Sequence, residues 1–276
     1  MRSFSGKRVL VTGGSSGIGL AAAKIVAQEG AHVALVARNA ERLRAAREEV
    51  AKVAAEGSRI EVFSLDVTDP DASAVTVKQV IEALGGLDVL ILNAGYARCG
   101  AVEKQPLHEF RALMDTNFMG HLHIVQAAAA HLKAQRSGSI CLVTSMLGFM
   151  STYGYAAYSA SKYAIVGFAE GLRQEMLPYG VHVGVFYPPT TDTPGLATEN
   201  ESKPELTWQI EGSSRQFTSE QVAYALLRGV RRRWFTNMVG FDSWAIYYLS
   251  RWAPGLVRWV IDRPVRAWVK EKGLNL

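Results

Sequence analysis

The 276-residue chain predicts an α/β fold, a doubly wound parallel sheet with helices on both faces, followed by a C-terminal amphipathic helical extension. Three observations predict it. Short, continuously apolar runs, such as RVLVT at 8–12, HVALVA at 32–37 and VHVGVF at 181–186, read as strands buried on both faces. Helical patterns separate successive runs, which is the βαβ order of a parallel sheet. The first strand passes directly into Gly13-Gly14-Ser15-Ser16-Gly17-Ile18-Gly19 and then into an Ala-rich helical pattern.

Hydrophobic content of 49% and charged content of 20% suit a globular chain with a sizeable core. Two cysteines, Cys99 and Cys141, give neither a disulfide framework nor a metal-ligand cluster. No metal is therefore expected. The stretch from Met1 to Gly6 is short and polar and has no apolar leader, so the expected location is cytoplasmic.

Taken in order, the strand at 8–12 meets its glycine loop and a helix that stops at Gly30. Glycines let backbone N–H groups at a helix N-terminus approach a pyrophosphate. Gly13, Ser15, Ser16, Gly17, Ile18 and Gly19 are the expected phosphate-binding residues, a simple turn being the structural alternative. The second strand, 32–37, ends in Arg38-Asn39, where a site for NAD usually carries an acidic residue. A guanidinium there pairs with a 2′-phosphate, and Arg42 lies one turn further on. The expected cofactor is thus NADP(H); the alternative for Arg38 is a solvated residue at a helix start. A charged helix at 40–56 leads to a strand at 60–65 and then to Asp66-Val67. Asp66 is placed to accept from an adenine amino group, or else serves as a turn or cap.

A helix at 70–84 precedes a strand at 88–92, which ends in Asn93-Ala94-Gly95. Helical segments at 107–117 and 118–134 lead to a strand at 139–144 and Ser145. A helix at 156–177 carries Tyr158 and Lys162, four residues apart and so on one face. A phenol beside an ammonium can do acid–base work, because the cation stabilises the phenolate. Arg38, Asp66, Asn93, Ser145 and the glycine loop all fall at strand C-termini, the ligand edge of such sheets. The strand at 181–186 gives way to a long polar connection, about 188–217, expected to form a substrate loop. A helix at 218–233 completes the body.

These residues resemble the motifs of the short-chain dehydrogenase/reductase family, in family order: Thr12-Gly13-x-x-x-Gly17-Ile18-Gly19, Asn93-Ala94-Gly95, Asn117, Ser145 and Tyr158-x-x-x-Lys162. The resemblance covers about 6–233 and implies a Rossmann-like fold and hydride transfer between a nicotinamide cofactor and a carbonyl. It implies Tyr158 as general acid, Ser145 as holder of the carbonyl oxygen and Lys162 as the group that lowers the Tyr158 pKa and binds the nicotinamide ribose. Asn117 would position a water, and Thr193 would hold the nicotinamide amide. One departure from the family is Pro188-Pro189 in place of Pro-Gly after the sixth strand. A homodimer or homotetramer is also implied. A narrower likeness, carried by Thr12 to Gly19, Leu35 to Asn39, Tyr158 to Lys162, Tyr187 to Gly195 and Glu199-Asn200-x-x-Lys203-Pro204, is to the 3-ketodihydrosphingosine reductase branch, which acts on a long-chain sphingoid base with NADPH.

The domain division expected is 1–233 for the NADP-binding catalytic body and 234–276 for an extension that is not an independent domain. From 228 to 276 the chain has ten basic and three acidic residues, and 234–268 holds five of the six tryptophans. Val257, Ile261, Val265 and Trp268 share a helical stripe, and Pro264 is expected to break or restart the helix. The expectation is peripheral contact with the cytoplasmic face of a membrane through 243–276; packing on the body or on a second subunit is the alternative. A near-neutral body speaks against nucleic acid. The function expected is NADPH-dependent reduction of a hydrophobic small-molecule ketone on a long-chain lipid. A 3-oxoacyl thioester, steroid or retinoid remains open as substrate, as does a non-catalytic NADP-binding role.

Overall fold

Every apolar run finds its partners in one sheet. The computed structural model describes residues 1, 3–212 and 215–273. Residues 213–214 of the expected substrate loop and 274–276 of the expected extension lie outside them. The first half alternates strictly: β1 (Arg8–Thr12), α1 (Gly17–Gln28), β2 (His32–Ala37), α2 (Ala40–Ala51), β3 (Ile60–Ser64), α3 (Pro70–Leu84) and β4 (Val89–Leu92). Local chemistry sets these boundaries. Asn39 caps α2 by accepting from the Arg42 N–H, and Asp69 caps α3 ahead of Pro70. Gly85, at φ 74°, ends α3 in the left-handed conformation. The charged helix stops at Ala51 rather than 56, since Gly57, at φ 81°, turns the chain towards β3.

The second half continues with α4 (Leu107–Met114), α5 (Gly120–Gln135), β5 (Gly138–Val143), α6 (Ala156–Met176) and β6 (Val181–Tyr187). The two helical segments expected to meet at 117 and 118 are one rod, joined by a π turn over Asp115–Met119 that contains Asn117. Such turns re-aim side chains at functional positions.

The connection after β6 is folded. It contains β7 (Thr191–Asp192), α7 (Pro194–Glu201), α8 (Glu205–Glu211) and β8 (Phe217–Thr218), with β7 and β8 paired in parallel. α9 (Ser219–Arg232) follows, opened by a Thr218–Gln221 capping box. Next comes a strand the sequence reading did not contain, β9 (Thr236–Met238), three residues long and lacking an apolar run. It pairs with β6 and makes the sheet seven-stranded and parallel, in the order β3-β2-β1-β4-β5-β6-β9. The sheet thus reaches past residue 233. The order reverses between β1 and β4, the switch point at which such sheets bind ligands.

Two apolar layers hold the sheet. One packs α1, α2 and α9 through Val26, Leu43 and Leu226 against Val11, Leu35 and Ile91. The other packs α3, α5 and α6 through Val80, Ile124 and Ile165 against Leu10, Leu90 and Leu142. α10 (Gly240–Trp252) and α11 (Pro254–Glu271) end the described chain. α11 runs through Pro264, contrary to expectation. The break falls instead at Ala253, where ψ is 58°, and Pro254 sits at the tolerated first position of α11. The Val257 stripe faces inward: Val257 is buried, Ile261, Val265 and Trp268 are half-buried, and α11 lies against α8.

Candidate active site

The glycine loop is shaped by close approach. Gly13 and Gly17 have φ of 66° and 53°, which side-chain-bearing residues rarely adopt. A Cβ on Gly13 would lie 2.8 Å from Asn93 Nδ2, and one on Gly19 would lie 2.4 Å from the Gly13 carbonyl oxygen. Ser16 is the N-cap residue of α1, yet its hydroxyl makes no capping bond. The helix N-terminus and the Ser16 hydroxyl therefore stay available to an anion. Ser15 is half-buried in the turn, and Ile18 packs its side chain on the core below.

Asn93 ties the ends of two strands together. Its Nδ2 donates to the carbonyls of Thr12 (3.3 Å) and Gly13 (3.4 Å), while the Thr12 hydroxyl accepts from the N–H of Asn93 (3.0 Å) and Ala94 (3.1 Å). Arg38 and Arg42 lie exposed at the end of β2 and in the first turn of α2, and neither forms an ion pair among the described residues. Asp66 Oδ1 accepts from the Thr68 N–H (3.0 Å) and hydroxyl (2.9 Å), a closed turn on the exposed rim. Val67 is buried beside Gly120, where an added Cβ would stand 2.5 Å from its Cγ2. This cradle fits a dinucleotide: glycines at the phosphate end, two unpaired guanidiniums at the second strand and Asp66-Val67 at the third.

Ser145, Tyr158 and Lys162 converge because the chain after β5 folds back on α6. The Thr144 hydroxyl donates to the Lys162 carbonyl at 2.9 Å. Gly148 passes so close that a Cβ there would lie 2.4 Å from Thr144 Oγ1. Ser145 opens a 3₁₀ turn, Met146–Gly148, and its Oγ accepts from the Leu147 N–H at 3.1 Å. That hydroxyl meets the phenol of half-buried Tyr158. Lys162, only 4% exposed, donates to the Val143 carbonyl at 3.3 Å, with Nζ 5.6 Å from the Tyr158 ring centroid.

Burial controls both ionisations. It pushes the Tyr158 phenol up, with Ser145 pulling the other way, and pushes the Lys162 ammonium down to about 7. The sequence suggested a depression of the Tyr158 pKa by Lys162; in this packing desolvation is the largest influence on the phenol, and it acts in the other direction. Tyr158 consequently stays protonated at neutral pH.

Asn117 is fully buried in the π turn. Its Oδ1 accepts from the Tyr96 N–H at 2.9 Å, and its Nδ2 donates to the Tyr96 carbonyl (3.0 Å) and the Ser161 hydroxyl (2.9 Å). The amide thus joins the loop after β4 to α6 beside Lys162. Thr193 caps α7, accepting from the Leu196 N–H at 3.1 Å, and its methyl would touch a Cβ on Gly17 at 3.0 Å. The folded connection after β6 therefore starts directly over the glycine loop.

Two neighbours escaped the sequence reading, and a third, Glu199, entered it only as part of a motif. His121, one turn after Asn117, is 1% exposed; its Nε2 lies 3.2 Å from the Ala94 carbonyl, and burial, then Lys162, pull its pKa down to about 3. Tyr155, three residues before Tyr158, packs beside it, the rings tilted at 56° with centroids 6.0 Å apart. Glu199 accepts the Tyr155 hydroxyl. Helical spacing was the available signal for the first two; Glu199 had only its spacing to Lys203.

A parallel sheet with a phosphate-type glycine loop at its switch point, facing a Ser–Tyr–Lys group, defines a nicotinamide-dependent oxidoreductase. The short chain dehydrogenase family model matches residues 7–204. The chain belongs to the short-chain dehydrogenase/reductase family, whose members use NAD(P) and act on CH–OH groups and the corresponding carbonyls. It is 39% identical to a 3-dehydrosphinganine reductase of Danio rerio over 90% of this chain and 75% of that one. It is 38% identical to a 3-ketodihydrosphingosine reductase of Bos taurus over the same shares. Among solved structures, a short chain dehydrogenase from Burkholderia cenocepacia in complex with NADP is 31% identical, with a TM-score of 0.75 over 87% of this chain and 98% of that one.

Proposed function

We propose that this protein reduces the ketone of a long-chain sphingoid base, converting 3-ketodihydrosphingosine to dihydrosphingosine with NADPH. The convergence of Ser145, at the end of β5, with Tyr158 and Lys162 on α6, fixed by the Thr144–Lys162 and Lys162–Val143 hydrogen bonds, carries the chemistry. The substrate is supported by the likeness to reductases named for that ketone, at 39% and 38% identity. Unpaired Arg38 and Arg42 favour NADPH over NADH.

NADPH, when bound, supplies the hydride. The residues of the chain supply the rest. Tyr158 donates the proton that the carbonyl oxygen requires as it gains charge, and the Ser145 hydroxyl orients that oxygen by hydrogen bonding. Lys162, held against Val143, presents an ammonium that exchanges protons near neutral pH and recharges the phenol. Asn117 fixes the loop after β4, which leaves any water-positioning role to its main chain. Gly13, Ser15, Ser16, Gly17, Ile18 and Gly19 receive the phosphates. Arg38 and Arg42 bind the 2′-phosphate, Asp66 and Val67 border the adenine, and Asn93 and Thr193 border the nicotinamide end.

A lipid substrate also accounts for the outer face of α10 and α11. Phe241 is 83% exposed and Trp252 86%, with Tyr248, Leu249, Leu256, Trp259 and Val260 exposed beside them. Arg251, Arg258, Arg263, Arg266 and Lys270 are exposed on the same two helices. No described helix is long and apolar enough to cross a membrane. The face suits an anionic bilayer surface, aromatic side chains in the interface and basic ones at the headgroups. NADPH oxidation is to be measured with 3-ketodihydrosphingosine beside a 3-oxoacyl thioester and a steroid ketone. The sphingoid ketone is expected to give the highest kcat/KM; preference for either other ketone would replace this substrate, and no turnover of any would remove the reductase reading.

A further inference from the structure

On the lid side of Tyr158 lies a second polar cluster that proton delivery does not use. Tyr155 is 1% exposed and donates its hydroxyl to Glu199 Oε1. That oxygen is 3.5 Å from Lys203 Nζ, but Lys203 is held more closely by Glu211 Oε2, at 2.5 Å, and leans over the Trp208 ring at 4.8 Å. Two carboxylates thus share one ammonium, leaving the cluster a net negative charge. The Lys203 side chain is 2% exposed, whereas that of Glu199 keeps 16%. Of the two carboxylates, Glu199 is the one joined to the Tyr158 side of the site, through Tyr155, whose ring stands 6.0 Å from that of Tyr158.

The cluster is fixed in place rather than draped over the site. The Thr207 hydroxyl donates to the Tyr153 carbonyl at 3.1 Å, and Gly154, at φ 84°, fits against that same hydroxyl. The Cys99 N–H donates to Ser202 Oγ at 3.3 Å, tying the loop after β4 to the end of α7.

A fixed negative charge here opposes the reduction of a neutral ketone, because the carbonyl oxygen gains negative charge as it reacts. It favours the reduction of a ketone that carries a cation next to the carbonyl. Burial pushes the Glu199 carboxyl up, against Tyr155 and Lys203, and a further ammonium partner would add to the groups that hold it ionised.

We infer that Glu199 is a specificity-determining residue that accepts the ammonium group of an α-amino ketone, the amino group lying on the carbon next to the carbonyl presented to Tyr158. This rests on the reductase reading above and names the group that selects its substrate.

The test compares two ketones in the presence of NADPH: 3-ketodihydrosphingosine and the same long-chain ketone with hydrogen in place of its amino group. In the Glu199→Gln protein, kcat/KM for the amino ketone should fall roughly 10- to 100-fold, as for loss of a hydrogen bond to a charged group. The amine-free ketone should change by less than about threefold, within the scatter of a lost neutral contact. Thermal melting and NADPH fluorescence establish that the variant is folded and binds cofactor. If it is not folded, Glu199→Asp replaces it, with the amino ketone again losing more than the amine-free one. Equal losses on both ketones, or none on either, would overturn the assignment. A wild-type protein that binds NADPH but reduces neither ketone would instead remove the reductase reading itself.

Discussion

Ser145, Tyr158 and Lys162 rest on the end of β5 and on α6, and burial drives the phenol and the ammonium toward their neutral forms. Glu199, Lys203 and Glu211 rest on two short helices after β6 and the link between them, and pair with one another. The same phenol-rich stretch, Tyr155 to Tyr158, touches both groups. The contrast separates two tasks. A buried neutral floor can hold a proton ready and deliver it at the moment of reaction. A charged lid can discriminate among ketones by the charge they carry beside the carbonyl. The floor carries the residues of the family motifs, and the lid is where we place this chain's choice of ketone.

The largest expected effect breaks the floor and spares the lid. Tyr158→Phe should lower kcat by about 10²- to 10⁴-fold, the usual contribution of a positioned acid. NADPH binding, followed by fluorescence, should survive, since the glycine cradle does not depend on the phenol. Next comes the cofactor end. Arg38→Glu should reduce kcat/KM for NADPH roughly 10- to 100-fold, the worth of a charge-assisted bond, and leave NADH within a few-fold. Steady-state rates with both cofactors decide this, and equal losses would point to a folding role for Arg38.

The outer helices give a smaller effect outside floor and lid. Phe241→Ser with Trp252→Ser should weaken pelleting with anionic vesicles about tenfold or more, given the apolar area withdrawn from the interface. Turnover of a short, water-soluble ketone should not change. If a second copy of the chain covers this face instead, the double variant will shift the elution volume of the protein without changing vesicle binding.

The smallest effect concerns stability and pH. Lys162 titrates near 7 in the folded chain and near 10.5 in the unfolded one. Between those values the unfolded chain binds more protons, so the contribution of Lys162 makes stability rise with pH across that window. Lys162→Met removes this contribution. Its melting temperature should exceed that of the wild type most at pH 7 or below, and the gap should narrow by pH 9. A gap independent of pH would mean that Lys162 is not held in a desolvated pocket.

What the sequence made legible follows from how local the cause is. β1, β2 and α3 lie where their apolar runs and caps place them, because buried strands and Asp or Asn caps are local signals. The glycine loop and the Tyr158–Lys162 spacing are local too. β9 was missed because three residues, two of them polar, become a strand only through pairing with β6. The role of Glu199 was invisible for a similar reason: its partner Tyr155 is 44 residues away, and only the folded lid brings them together. The Val257 stripe was read correctly as a helical face, but its direction depended on α8, which the sequence presented as part of a loop.

The central claim is that Tyr158 delivers a proton while hydride reaches the ketone carbon. The most direct measurement supplies NADPH carrying deuterium at the transferable position of its nicotinamide ring, together with 3-ketodihydrosphingosine, and weighs the product. The wild type should yield dihydrosphingosine with one deuterium on carbon 3, and Tyr158→Phe should yield almost none in the same time. Product formed without deuterium, or formed equally by both proteins, would contradict the account.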